Sequence, residues 1–216
     1  YMYGNAKALA AIAEKLGKKD DQQLYEKKAE EIKNLIQSRL WNKDHTFFET
    51  VRGDTCAQVR EAIGYIPWYF NLPDKGVYDE AWLQLNDEKG FSAPYGLTTA
   101  ERRHPEFRSH GVGQCEWDGA IWPFATSQTL TALANYLNTE ENPVVNDSTY
   151  FAQMKRYVES QHHRGRPYIG EYLDEVTGYW LKGDQERSRY YNHSTFNDMV
   201  ITGLCGLRPR NDNDLE

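Results

Sequence analysis

The sequence predicts an all-α fold built from helical hairpins. Two observations support this prediction. Apolar residues recur at helical spacing in several separate segments, and the connections between these segments alternate between short turns and long, aromatic-rich loops. Helical hairpins arranged in a ring would place the short connections on one rim and the long ones on the other. A bundle or an α-solenoid is the alternative, although the absence of a fixed-period repeat disfavours a solenoid.

The elements follow from periodicity and from turn residues. We expect helices over residues 2–16, 20–40, 77–87, 121–138, 148–163 and 194–207, the last of them largely buried. Gly17 is placed to end the first helix, and Pro123 suits the first turn of the 121–138 helix. Residues 61–73 form a very apolar segment that contains two prolines. Residues 41–51 predict a short hairpin, and residues 164–184 predict a loop or a hairpin.

Composition restricts the class of protein. A hydrophobic content of 39% with 13% aromatic residues is enough for a globular core. The net charge of −7 argues against nucleic acid or an anionic membrane as the main partner, and no apolar run is long enough for a membrane span. The three cysteines are too widely spaced for a disulfide framework or a zinc pattern. They leave the cellular compartment open.

Residues 1–216 are expected to form a single domain that is a segment of a larger protein. A helical pattern starts almost at once after Tyr1, and the chain ends in a polar stretch without a closing element. We therefore expect a missing N-terminal part to complete the fold.

The long loop over residues 91–123 is the first candidate for function. It ends in a cluster of aromatic and acidic residues that includes Glu116, Trp117, Asp118 and Trp122. Loops of this length inside a compact domain are uncommon and are usually functional or disordered, and the large aromatic residues argue against disorder. Flat aromatic faces beside carboxylates suit a sugar ring, since its C–H face stacks and its hydroxyls need hydrogen-bond partners.

A second loop, residues 164–184, also combines acidic and aromatic residues. It carries Glu171, Asp174 and Glu175. Glycoside hydrolysis requires two carboxyl groups on opposite sides of the scissile bond, and two acidic loops on one rim could supply them. A solvated or capping role is the ordinary alternative for any single acid among them.

Other chemistries find little support. The adjacent His162 and His163 diverge on a helix and cannot share a metal ion, and neither an HExxH nor a CxxC motif is present. GxGxxG and Walker A segments are also absent. We therefore expect no cofactor and no metal. His193 remains open between lining a pocket and a structural role.

Residues in both loops resemble a signature of the (α/α)6-barrel glycoside hydrolases. The matching residues in the long loop and the helix after it are Phe91, Tyr95, Gly96, Trp117, Gly119, Ile121, Trp122 and Pro123. In the second loop, GEYLDEVTG matches through Glu171, Thr177 and Gly178. The nearest relatives would be the processing α-glucosidases, the trehalases and the mannosylglycerate hydrolases. The resemblance implies an all-α fold that is part of an (α/α)6 toroid, with the long loops on one rim.

The resemblance also implies roles for individual residues. Glu171 would be the general base of an inverting glycoside hydrolase acting on an oligosaccharide or polysaccharide. The general acid would lie upstream of this chain, so the chain alone would be inactive. Carbohydrate would be contacted by His193 and by six residues of the long loop, namely Tyr95, Gly96, Trp117, Asp118, Gly119 and Trp122.

The chain departs from the family pattern on both sides of Trp117. The relatives have Tyr and Arg where this chain has Glu116 and Asp118. This change should alter which sugar is bound, and it makes Glu116 a second candidate for the acid or base. Two other functions remain open at this point. One is a non-catalytic carbohydrate-binding domain, and the other is a polysaccharide lyase or sugar epimerase on the same fold, for which His193 would matter more than Glu171.

Overall fold

The computed structural model describes residues 1–108, 117–191 and 195–208. Helices are the main secondary structure of these residues, which confirms the predicted helical fold. The α-helices are α1 (Met2–Lys15), α2 (Lys19–Arg39), α3 (Ile66–Tyr69), α4 (Pro123–Thr139), α5 (Asp147–Ser160) and α6 (Thr195–Asp198). Short 3₁₀ helices span Ala62–Tyr65, Asp79–Leu85 and Glu186–Ser188, and a π-helix spans Met199–Leu204.

Strands within the described ranges form four short antiparallel pairs. They are β1 (Trp41–Asn42) with β2 (Phe47–Phe48), β3 (Val51–Arg52) with β4 (Thr55–Cys56), β5 (Ser92–Ala93) with β6 (Gly96–Leu97), and β7 (His162–His163) with β8 (Arg166–Pro167). The β1–β2 pair confirms the hairpin predicted over residues 41–51. Each pair shapes a connection between helices rather than a sheet of its own.

The hairpin of α1 and α2 packs through small side chains. Ala6, Ala10 and Ala13 are buried on α1, and Ala29 is buried on α2. Small residues let the two helix backbones approach closely. Gly17 follows α1 with a φ of +68°, a left-handed conformation that glycine adopts without strain. The predicted end of the first helix is therefore confirmed.

The main core is aromatic and surrounds α4. Trp82 stacks on Tyr65 at 4.5 Å and on Tyr136 of α4 at 5.2 Å between ring centroids. The amide of Asn135 on α4 donates hydrogen bonds to the carbonyls at the end of α3, at 3.2 Å and 3.0 Å. Many of the aromatic residues of the chain therefore lie in this core, and others lie in the loops.

Two predicted helices differ from the structure. The helix expected over 148–163 ends at Ser160, because His162 and His163 form β7. Arg164 and Gly165 both have positive φ, the geometry of a tight two-residue hairpin turn. The prediction of a largely buried last helix was wrong. Among described residues 195–208 only Met199 is buried, since one face alone packs on the core.

Candidate carbohydrate-binding site

The two loops singled out in the sequence are joined through their backbones. The N–H of Ile121 donates to the Leu173 carbonyl at 3.0 Å, and the N–H of Leu173 donates back to the Ile121 carbonyl at 3.0 Å. Leu173 also pairs with Trp180, which closes the second loop on itself. Trp122 follows Ile121 directly in extended conformation, and α4 begins at Pro123. The pairing therefore sets the position of the aromatic cluster relative to Glu171.

Three aromatic rings from these loops form a continuous stack. Trp117 stacks on Trp122 with centroids 4.1 Å apart, and Trp122 stacks on Tyr172 with centroids 4.5 Å apart and planes only 6° apart. Trp122 and Tyr172 are buried, whereas 44% of Trp117 is exposed. The stack thus covers one face of Trp117 and leaves aromatic surface of this residue exposed to solvent.

Asp118 and Gly119 are held against the other end of the long loop. The guanidinium Nε of Arg108 lies 2.5 Å from a carboxylate oxygen of Asp118, and both side chains are partly exposed. The N–H of Arg108 donates to the Asp118 carbonyl at 3.1 Å. A side chain at Gly119 would overlap the Arg108 backbone. Arg108 therefore holds both the side chain and the backbone of Asp118, the residue that follows Trp117.

Tyr95 and Gly96 connect the start of the long loop to the second loop. The N–H of Tyr95 donates to the Glu175 carbonyl at 3.3 Å, and the ring of Tyr95 lies against the backbone of Gly178. Gly96 has a φ of +151° and lies close to Ile121, so it is required by the tight β5–β6 turn. Tyr95 itself remains 40% exposed, and it can therefore contact a ligand.

Glu171 is partly buried and has a specific hydrogen-bond donor. The Ser188 hydroxyl donates to its carboxylate at 2.7 Å, and Ser188 is only 1% exposed. The Tyr168 hydroxyl donates in turn to the Ser188 carbonyl at 3.0 Å. Burial is the main cause of the raised pKa of Tyr168; the guanidinium of Arg189 opposes the rise, while nearby carboxylates, Glu171 among them, add to it. Ser188 belongs to no sequence motif, so its contact with Glu171 could not be predicted from the sequence.

Asp174 shapes the second loop. One of its carboxylate oxygens accepts hydrogen bonds from the N–H groups of Val176 and Thr177, at 3.0 Å and 2.7 Å, and from the Thr177 hydroxyl at 2.8 Å. Asp174 and Glu175 are both buried. The conformation of the segment after Glu171 therefore depends on Asp174, which has a structural role here.

Two of the predicted site residues, Glu116 and His193, lie outside the described residues. Within the described ranges, no three His, Cys, Asp or Glu side chains come together in a way that could hold a metal ion. In the same ranges, no helix combines the length and apolar character needed to cross a bilayer.

The class of protein to which this fold and these loops belong follows from a family match. Residues 1–194 match the family model described as the mannosylglycerate hydrolase MGH1-like glycoside hydrolase domain. The chain belongs to this family of glycoside hydrolases. The resemblance inferred from the two loops is thereby confirmed.

Solved structures agree with the family. A protein named "Sialidase" is 68% identical over 100% of this chain with a TM-score of 0.96, and the chain covers 20% of that protein. The GH63 mannosylglycerate hydrolase from Thermus thermophilus, in complex with glucose, is 18% identical over 84% of this chain. Its TM-score is 0.63, and the chain covers 42% of it, so this likeness concerns the fold. A comparison with curated proteins finds no match.

Proposed function

We propose that the complete protein hydrolyses a glycosidic bond of an oligosaccharide or polysaccharide with inversion, and that Glu171 is the general base. The observation that carries this proposal is the hydrogen bond from the buried Ser188 hydroxyl to the Glu171 carboxylate. In an inverting mechanism one carboxylate activates a water while a carboxylic acid protonates the leaving oxygen, and the two groups lie roughly 6.5–9.5 Å apart. A carboxylate held in one orientation is suited to direct such a water.

The residues around the aromatic stack would bind the sugar. Trp117 offers exposed aromatic surface, Trp122 supports it from behind, and Tyr95 projects from the neighbouring turn. Asp118, paired with Arg108, can accept hydrogen bonds from sugar hydroxyls. Gly96 and Gly119 would contribute by letting neighbouring segments pack closely, Gly96 against Ile121 and Gly119 against the Arg108 backbone. The geometry thus supports a wall for a sugar ring next to the loop that carries Glu171.

The general acid is proposed to lie outside this chain, in the part of the protein that completes an (α/α)6 toroid. The chain covers less than half of the Thermus thermophilus enzyme and one fifth of the protein named "Sialidase". Helical hairpins with long functional loops on one side fit such a ring. On its own the chain would have no hydrolytic activity, because a base without an acid leaves the departing oxygen unprotonated.

The relatives do not agree on a substrate. One is named for sialic acid and another for mannosylglycerate. The chain corresponds to only 20% of the former and is only 18% identical to the latter. The proposal therefore names the bond that is cleaved and leaves the sugar to be determined by experiment.

Substitution of Glu171 by Gln in the complete protein tests the proposal. We expect kcat on its glycoside to fall by about 10²–10⁴-fold with little change in KM, since the amide cannot accept the proton of the attacking water. Glu186→Gln is the matched control, because Glu186 is exposed in the same region of the chain. Full activity of Glu171→Gln would remove Glu171 from the mechanism. Loss of activity in Glu116→Gln instead would move the role to Glu116.

A further inference from the structure

A cavity of about 790 Å³ lies beside the β7–β8 hairpin. It is lined by residues within 163–169 on one side and within 183–191 on the other. Neither Glu171 nor a ring of the Trp117–Trp122–Tyr172 stack belongs to this lining. The volume is within the range of small-ligand pockets and is larger than a bare ion requires.

The cavity is basic, although the chain as a whole has a net charge of −7. Arginines at three positions line it, namely Arg164, Arg166 and Arg189, whereas Asp184 is the one carboxylate among its described lining residues. Asp184 is already engaged, because it accepts a hydrogen bond from the Arg164 guanidinium at 3.0 Å. The ring of His163 also lies near it, with Nε2 3.7 Å from a carboxylate oxygen. The charges of Arg166 and Arg189 therefore remain without a carboxylate partner among these residues.

Both of these arginines have hydrogen-bond donors to offer. In the described part of the chain, the side chain of Arg166 makes no ion pair and no hydrogen bond, and that of Arg189 makes only a long contact of 3.5 Å from Nε to the Gly183 carbonyl. A guanidinium carries five N–H donors in a planar fork, which matches the oxygens of a phosphate group in pairs. Single unpaired arginines are common on protein surfaces. These two differ because they come from separate segments and line one cavity.

Hydrogen bonds hold the two sides of the cavity together. The Tyr168 hydroxyl donates to the carbonyls of Gly183 and Ser188, at 3.2 Å and 3.0 Å. The N–H of Tyr191 donates to the Ile169 carbonyl at 3.3 Å. The segment that carries the second arginine is thus tied to the hairpin that carries the first. Binding a ligand would therefore cost little ordering of the backbone.

Tyr190 adds an exposed aromatic ring to the lining. Its side chain is 90% exposed, and its φ of +57° lies in the left-handed region, which is strained for a residue other than glycine. Strained residues of this kind cluster at ligand-binding and active sites. A flat ring beside two guanidinium groups suits a ligand that has an organic part as well as an anionic group.

We propose that this cavity binds a phosphoryl group, either as free phosphate or as the phosphate monoester of a small organic molecule, through the guanidinium groups of Arg166 and Arg189. A phosphate monoester carries close to two negative charges at neutral pH, which two arginines match. The volume of the cavity and the ring of Tyr190 accommodate the organic part of an ester. The proposal goes beyond glycoside hydrolysis, since neither the proposed base nor the aromatic stack takes part in it.

Titration of the complete protein with inorganic phosphate, glucose 6-phosphate and glucose, followed by calorimetry, tests the site. We expect both phosphate compounds to bind. Arg166→Gln and Arg189→Gln should each weaken their binding by about tenfold, because charge-assisted hydrogen bonds are lost, and should leave any binding of glucose unchanged. Tighter binding of glucose 6-phosphate than of phosphate, lost in the same variants, identifies an ester as the ligand. Equal affinity of the two compounds identifies the free ion.

Arg187→Gln is the matched control, because it removes the same charge from the same segment. Arg187 is exposed, its guanidinium donates to the Gln185 side chain at 3.2 Å, and it does not line the cavity. The control should leave phosphate affinity unchanged. No measurable binding of either phosphate compound would overturn the proposal, and so would equal weakening in Arg187→Gln and Arg166→Gln.

Melting temperatures of all variants accompany the titrations. Arg189 adjoins the buried Ser188, so its substitution can lower stability. Arg166 lies on β8 and is exposed, and Arg166→Gln therefore tests the site even if Arg189→Gln is less stable. No glycoside is present in these titrations. Their outcome is therefore independent of the result for Glu171→Gln.

Discussion

At the scale of single residues, the contact between Ser188 and Glu171 matters most for the proposed chemistry. Ser188 is buried, and its hydroxyl has Glu171 as its acceptor at 2.7 Å. A fixed donor on one carboxylate oxygen favours a single orientation of the group, which suits a base that must direct a water. Such a residue acts through Glu171 and is a positioning residue rather than a catalytic one.

We expect Ser188→Ala to lower kcat of the complete protein by roughly tenfold with KM nearly unchanged, since one hydrogen bond to a charged group is lost. Steady-state kinetics measure both constants. The control is Ser160→Ala, which removes another buried hydroxyl, one that donates to the Tyr157 carbonyl at 2.8 Å. It should change thermal stability by a similar amount and leave kcat unchanged. An equal loss of kcat in both variants would show that Ser188 has only a structural role.

At the scale of elements, the site depends on contacts between loops. Tyr95 lies against Gly178, which has a φ of +69°, and the N–H of Tyr95 binds the Glu175 carbonyl. Both loops contain little regular secondary structure. Their conformation therefore depends on glycines with positive φ and on the hydrogen bonds that Asp174 accepts. The two loops therefore stabilise each other's conformation at the site.

This dependence predicts that alanine substitutions at two glycines of similar φ have different effects on stability and KM. Gly178→Ala adds backbone strain and an overlap with the Tyr95 ring, whereas Gly165→Ala, at a φ of +74°, adds strain alone because nothing lies within 4 Å. The strain costs about 1–2 kcal/mol in each variant. We expect Gly178→Ala to have the lower melting temperature and also a raised KM, while Gly165→Ala keeps its KM. Equal melting temperatures together with an unchanged KM would contradict the role given to the Tyr95–Gly178 contact.

At the scale of the whole molecule, the apolar face of α1 is only partly covered. The buried alanine side chains of this face pack on α2. Met2, Leu9 and Ile12 lie beside these alanines on the helix and are exposed in this chain, Ile12 to 53%. An exposed apolar stripe on a helix is typical of a helix that contacts further helices. It fits the proposal that the complete protein continues this chain into a toroid.

We expect Ile12→Lys to lower the melting temperature of the complete protein, because the toroid would bury Ile12 and a buried lysine without a partner is costly. Asn5→Lys, at an exposed polar position of the same helix, serves as the control and should have little effect. Differential scanning calorimetry measures both. If Ile12→Lys is as stable as Asn5→Lys, this face of α1 is exposed to solvent in the complete protein.

The helices and the family were accessible from the sequence because their signals are local. Apolar periodicity identified α1, α2, α4 and α5 within a few residues of their ends. The burial predicted for the last helix was wrong because burial is not a local property. Apolar residues such as Ile201 and Leu204 predict burial, yet whether anything covers them depends on parts of the fold that periodicity does not describe.

The sequence by itself determined the glycoside hydrolase family, most of the helices and the two loops that carry the motif residues, since motif residues and helical spacing are properties of neighbouring positions. Only the tertiary structure decided which side chains meet. Ser188 binds Glu171, Arg108 pairs with Asp118, and Arg166 lines the same cavity as Arg189. The partners are not neighbours in the sequence and share no local pattern, because the folding of the loops brings them together.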